Sequence, residues 1–364
     1  MSYPSARSRH AQDPGRAKSA SPRAVQSIPG RLQALNSTIR RHALRLLAAL
    51  FVLLGVVAPA AARDAIRLAV QQTGTVAWEL AVIQAHRLDE EAGLTLDVVK
   101  LASPEAGKIA LLGGSADIIV SDWLWVSRER SQGFPLAFSP YSSALGAVMA
   151  PSSSPVRALA DLKGRKLGVA GGPLDKSWLL LQAAARQDGV DLKAEASIVY
   201  GAPALLAQKV AGGEMDANLN YWNFCAALEA KGFRRVASME DLLPRLGAKG
   251  RTAMVGYVFD ERWAAKNADA VARFIAMTRR AKDILSSSDA EWERIAPLTG
   301  ASDAATLQAY RDRYREGVPR RPVADEAADA ATLYRVLAEI GGPDLVGPAR
   351  ELDPGTYYHA EPGR

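Results

Sequence analysis

The segment GGSADIIVSDW (residues 113–123) closes one apolar run with a Gly-Gly turn, opens a second with an Asp and ends it with a Trp. A later segment, GGEMDANLNYW (212–222), repeats the arrangement: Asp117 and Trp123 are six residues apart, as are Asp216 and Trp222, and each lies 99 residues before its twin. The same offset separates Leu68 and Val70 in RLAVQQTGTVAW from Leu167 and Val169 in KLGVAGGPLDKSW. A spacing kept over three blocks predicts two structurally equivalent units. Each reads strand, helix, strand, short helix ending in Gly-Gly, strand.

Working outward, strands are expected at 65–70, 94–101 and 116–121 in the first unit, and at 165–170, 196–201 and 215–220 in the second. Helical stretches over 75–93, 105–114, 175–189 and 204–213 separate them. This alternation is the mark of α/β architecture with mainly parallel sheets. A Ser/Pro-rich crossing (150–164) joins the units, a strand at 252–260 re-enters the first, and the remainder is helical. The expected organisation is a leader over 1–62, a first lobe over 63–147 and 250–364, and a second lobe over 148–249.

The chain carries a net charge of +6 with a pI near 9.4, which taken whole points to an anionic partner. Residues 1–62 alone hold nine Lys/Arg and one acidic residue, so the rest carries 36 basic against 38 acidic residues, a net of −2. The basic character belongs to the leader, and a nucleic-acid-binding function loses its support. Within that leader, RRHALRLLAALFVLLGVVAPAAA (40–62) has the basic start, short apolar core and small-residue end of a secretory signal, with cleavage expected after Ala60 or Ala62. A periplasmic product is the expectation.

In open parallel sheets, ligands bind beyond the carboxyl ends of the strands. The loops there are QQTGT (71–75), SDW (121–123) and SPYSS (139–143) in the first lobe, and GGPLDKS (171–177), YGAP (200–203) and NYWN (220–223) in the second. They supply Tyr141, Tyr200 and Tyr221 as candidate ligand contacts. Trp123 and Trp222 can bracket a ligand or pack as core. Asp122 and Asp175 can cap the helices that follow them or face the cleft. Asp117 and Asp216 follow Gly-Gly turns at the other end of their strands, where an Asp fixes strand entry by bonding nearby amides.

Catalytic machinery is scarce. The single cysteine, Cys225, permits no internal disulfide and no cysteine metal cage. After the leader only His86 and His359 remain, in no metal spacing, and neither a P-loop nor a nucleophile elbow occurs. No catalytic residue, metal or cofactor is expected.

Four segments in order resemble the solute-binding proteins of ABC importers, in the nitrate/sulfonate/taurine group that includes binders of thiamine-pyrimidine precursors. They are RLDEEAGLTLDVVKLAS, KIALLGGSADIIVSD, LADLKGRKLGVAGG and KVAGGEMDANLNYW. The first departs from the family pattern, with Ala85-His86-Arg87 where a Gly-aromatic pair is usual. The resemblance covers about residues 65–285 and implies a type II periplasmic-binding fold: two α/β lobes, two crossings and a cleft that closes on ligand. It implies a monomer that takes a small organic solute to ABC permease subunits, with hinge motion through segments near 144–155 and 245–253. It places the site at Gln72, Thr73, Asp122, Trp123, Gly172 and Trp222. The sulfonate branch is matched less well, because the loops hold two Asp residues and little Arg. A two-lobed enzyme of the pyrimidine-synthase type and a ligand sensor without transport are the alternatives.

Overall fold

Both halves of the repeat fold into the same unit. In the computed structural model, which describes residues 63–72 and 74–359, β1 (Asp64–Gln71) leads through α1 (Val76–Ala85) and α2 (Leu88–Glu91) to β2 (Leu94–Leu101). Then come α3 (Pro104–Leu112), β3 (Ile118–Asp122), α4 (Trp123–Ser131) and β4 (Leu136–Ser142), and the chain crosses into β5 (Ala147–Pro151). The order recurs as β6 (Lys166–Ala170), α5 (Lys176–Gln187), α6 (Leu192–Glu195), β7 (Ser197–Gly201), α7 (Pro203–Ala211), β8 (Ala217–Asn220) and α8 (Trp222–Ala230). After β9 (Phe233–Ser238) and α9 (Met239–Arg245), the chain returns as β10 (Val255–Asp260). It continues in α10 (Glu261–Lys266), α11 (Ala268–Ser287), α12 (Asp289–Thr299), α13 (Ala304–Glu316) and α14 (Val323–Val346). Helices α3 and α7, and α4 and α8, begin and end 99 residues apart. The proposed leader and Thr73 lie outside the described residues.

The two five-stranded sheets have matching orders, β2-β1-β3-β10-β4 and β7-β6-β8-β5-β9. In each, the first three strands are parallel and the fourth runs antiparallel to the third. That fourth strand is always the one that has just crossed from the other lobe. The sheets are therefore mixed, and β4, β5 and β9 are strands the sequence reading did not place. Residues 139–143, expected as a loop, lie largely within β4. These segments are short and Pro- or polar-containing, so long-range pairing decides them rather than local pattern. The helix expected over 75–93 is also broken, because Arg87 takes a left-handed conformation (φ 52°) between α1 and α2.

β1 is buried on both faces: Ile66, Leu68 and Val70 join the cluster under α1 and α11, while Ala69 joins the opposite one. That second cluster runs without interruption from Ile119 and Phe138 of the first sheet to Leu167, Val169 and Leu219 of the second. Leu333, Tyr334 and Leu337 of α14 belong to it. α14 packs on both α4 and α5 and so covers one flank of both lobes. Burying each such side chain contributes about 1.5–3 kcal/mol.

Candidate functional site

The carboxyl ends of the parallel strands in the two lobes meet at a pair of opposite charges. β3 ends in Asp122, whose Oδ1 accepts the Trp125 N–H at 2.9 Å and caps α4. Its Oδ2 receives the Lys176 ammonium at 2.8 Å, across the lobes, from the first turn of α5. Burial raises the Asp122 carboxyl, but Lys176, Lys108 and the Trp125 amide outweigh it and hold the group below its usual range. Burial likewise works against the Lys176 charge, and Asp122 with Asp175 holds the ammonium above its usual range. Each partner keeps the other ionised.

Asp175 caps α5 through bonds from the Ser177 and Trp178 N–H groups (3.0 and 3.2 Å). Its other oxygen receives the Tyr221 hydroxyl at 3.4 Å. Burial pushes the Asp175 carboxyl up against the pull of Lys176, and burial with Asp175 pushes the Tyr221 phenol up. Gly171, at φ 84°, lies so close that a Cβ there would sit 3.1 Å from the Tyr221 hydroxyl. Asp122, Asp175, Tyr221 and Gly172 are therefore brought together with Lys176, and Gly172 has open space where a side chain would be. Gln72 is exposed at the end of β1 and Tyr200 is exposed at the end of β7.

Three expected contacts have other surroundings. Trp123 is fully buried, 6.4 Å from Tyr334 of α14, with its indole N–H unpartnered among the described residues. The expected cleft-facing ring is core, because α14 covers it and its side chain joins the cluster of Leu333, Tyr334 and Leu337. Trp222 is half-buried and meets Trp78 of α1 edge-on at 5.7 Å and Tyr314 of α13 at 6.5 Å. It makes contact between the lobes and also lines a pocket with Arg235, Arg251 and Arg313. Tyr141 is buried in β4, with the Lys282 ammonium 4.4 Å above its ring and its hydroxyl 3.4 Å from the Thr75 hydroxyl.

Beside Tyr141 lies a polar cluster that the sequence reading missed. Glu79 of α1 accepts from the Lys282 ammonium (2.5 Å) and from the hydroxyls of Tyr314 (2.6 Å) and Tyr257 (3.3 Å). Lys282 and Glu79 are both buried, and burial lowers the Lys282 ammonium against the pull of Glu79. The available signal was Glu79 itself, a lone charge inside the apolar run VAWELAVIQA. Cys225 is fully buried, its thiol 3.2 Å from the Asn220 carbonyl oxygen. Burial pushes that thiol up to about 12, so it holds no thiolate at neutral pH. Among the described residues, no group of three or more His, Cys, Asp or Glu is placed to hold a metal.

Two α/β lobes, each with a mixed five-stranded sheet of the same order and joined by two crossings, form a type II periplasmic-binding-protein fold. The chain is similar to the periplasmic aliphatic sulphonate binding protein SsuA of Escherichia coli, at 22% identity and TM-score 0.63 over 79% of this chain and 95% of that one. It is similar also to the alkanesulfonate-binding protein SsuA of Xanthomonas axonopodis pv. citri bound to MOPS (20%, TM-score 0.61, 82% and 99%). The desulfurization enzyme DSZB shares the fold at 16% identity and TM-score 0.55 (77% and 93%). No curated protein matches the sequence. The model of the family described as NMT1/THI5 like matches residues 90–289. The chain belongs to that family.

Proposed function

We propose that the protein captures a small organic solute between its lobes and delivers it to the permease subunits of an ABC importer, acting as a monomer in the periplasm. In this reading the lobes span 63–147 with 250–364, and 148–249, and the signal segment before them is removed near Ala60 or Ala62. The solute lies among Gln72, Thr73, Gly172, Asp175, Tyr200 and Tyr221, at the strand-end loops where Asp122 meets Lys176. The observation that carries the reading is this interlobe ion pair, which closes the two sets of loops on one another. Its charges give the cleft a carboxylate and an ammonium side by side, both already hydrogen-bonded, so polar groups of a solute would exchange with existing partners. The sulfonate-binding proteins that share the fold support the transport role. An enzymatic role through a cysteine nucleophile is disfavoured by the burial of Cys225.

A thermal-shift screen of residues 63–364 with sulfonates, nitrate, pyrimidines, flavins and amines tests this. A specific solute at 100 times its dissociation constant adds about 2.7 kcal/mol of stability. The shift should shrink in Tyr221→Ala, whose own melting temperature should stay within a few degrees of the parent. Binding unaffected by changes at Tyr221, Asp175 and Lys176 alike would move the site elsewhere.

A further inference from the structure

The crossing that returns the chain from α9 to β10 is held by two acidic residues of α14. Asp329 accepts the N–H groups of Lys249 (2.9 Å) and Gly250 (3.1 Å) and pairs with Arg321 at 2.6 Å. Glu326, one turn earlier, accepts the Ala253 N–H at 3.0 Å and is 1% exposed. The outward crossing meets the same region, since the N–H and the hydroxyl of Ser143 both donate to the Gly317 carbonyl oxygen, at 2.8 and 3.1 Å.

The two acids are unequally satisfied. Asp329 has two amides and a guanidinium, whereas Glu326 has one amide and, among the described residues, no cation within 4.0 Å. The groups facing it leave it without a neutralising partner. Arg321, in the turn before α14, is committed to Asp329, whose own carboxylate repels a charge on Glu326. Arg251, on the crossing, donates to the Glu316 carbonyl oxygen at 2.6 Å, and Arg315 of α13 pairs with Asp289 at 2.6 Å. Tyr357, from the C-terminal segment, has a buried hydroxyl with no hydrogen-bond partner among the described residues. A cavity of about 260 Å³ adjoins the carboxyl, lined by Arg251, Arg315, Arg320 and Arg321 with Glu316.

We propose that Glu326 is a proton-responsive clamp on the interlobe hinge: neutral, it stays buried and holds Ala253, and ionised, it turns toward the arginine-lined cavity and releases the crossing. The preference for the neutral form in the buried position follows from desolvation, since a buried carboxylate without a paired cation is strongly disfavoured, and ionisation therefore drives the group out. Burial pushes the Glu326 carboxyl up to about 7 from an ordinary 4.5, against the opposing pulls of the Ala253 amide and Arg321. Because the value in the closed hinge is raised, the clamp is complete below the ordinary carboxylate range and is lost as pH rises through about 7. The inference stands on the hinge and needs no solute, so it can fail while the transport reading holds, and the reverse.

Hydrogen exchange at the Ala253 amide of the ligand-free protein, corrected for intrinsic chemistry, is the test. Between about pH 5.5 and 7.5 the opening equilibrium should rise on the order of twentyfold in the wild type. Glu326→Gln, which cannot ionise, should remove the rise. A flat wild-type profile, or the same rise in Glu326→Gln, would overturn the proposal. Should that variant fail to fold, carbon-13 NMR of the glutamate carboxyls in the wild type decides: one group with a midpoint above about pH 6 supports the clamp, and none above the ordinary range refutes it.

Discussion

Asp117 and Asp216 make the same two hydrogen bonds in their respective lobes. Asp117 accepts the Arg67 N–H at 2.8 Å and returns its own N–H to the Arg67 carbonyl oxygen at 2.8 Å. Asp216 does so with Lys166, at 2.8 and 3.0 Å. The shared offset thus records a device that ties the start of one strand to its parallel neighbour, as the Gly-Gly-x-x-Asp spacing predicts. The surroundings differ: Asp117 is buried and also holds the Arg67 guanidinium, while Asp216 is half-exposed with Arg165 at 3.6 Å. Asp117→Ala should therefore cost about 2 kcal/mol, by leaving the half-buried Arg67 amide unpaired and its guanidinium with only the Gly114 carbonyl oxygen, and Asp216→Ala about 1 kcal/mol. Urea unfolding of the two variants checks the ordering; equal costs would mean that the side-chain pair adds nothing. At Asp122 and Asp175 one carboxylate oxygen caps a helix while the other takes Lys176 or the Tyr221 hydroxyl as its partner.

At the scale of elements, α4 and α8 occupy equivalent positions yet direct their first residues differently. Asp122 caps α4, and Trp123 packs inward against α14; Tyr221 stands at the cap position of α8 without a capping bond, and Trp222 turns toward α1 and α13. The bridge from Asp122 to the first turn of α5 then couples two helix starts from opposite lobes. Lys176→Ala should open the cleft, read as a larger radius of gyration by small-angle scattering at neutral pH. In the wild type the carboxyl is held below its ordinary range, so the bridge is fully present above that range and is lost only as pH falls through the lowered value. A wild-type radius that stays constant through acid, and equals that of the variant, would show the pair to be too weak to set the angle between lobes.

Across the whole molecule, two apolar structures join the lobes beside the ion pair of Asp122 and Lys176. One is the core shared through α14; the other is an aromatic cluster in which Trp78 lies 5.6–5.7 Å from Trp222, Trp292 and Tyr310. Trp78 belongs to the first lobe and Trp222 to the second, so the cluster transmits packing from one to the other. Trp78→Ala should cost about 3–5 kcal/mol, and should split thermal unfolding into two transitions as the lobes lose their common partner. A single transition with an unchanged melting temperature would assign the coupling to α14 alone.

The sequence by itself determined the α/β class, the two-lobe repeat, the parallel strands of each lobe and the strand-entry role of Asp117 and Asp216, because these depend on periodicity and on contacts within one repeat. Part of the candidate site was legible in its placement: Asp122, Gly172, Asp175 and Tyr221 lie at strand ends that pattern alone locates, and the structure gathers them around Lys176. Only the tertiary structure decided the rest. β4, β5 and β9 exist through pairing with strands far along the chain. Trp123, Trp222 and Tyr141 differ in burial because α14, α13 and Lys282 come from the last third of the sequence to cover them. A strand end can be read from local pattern, but which way its side chains are covered depends on surfaces that meet only when the chain has folded.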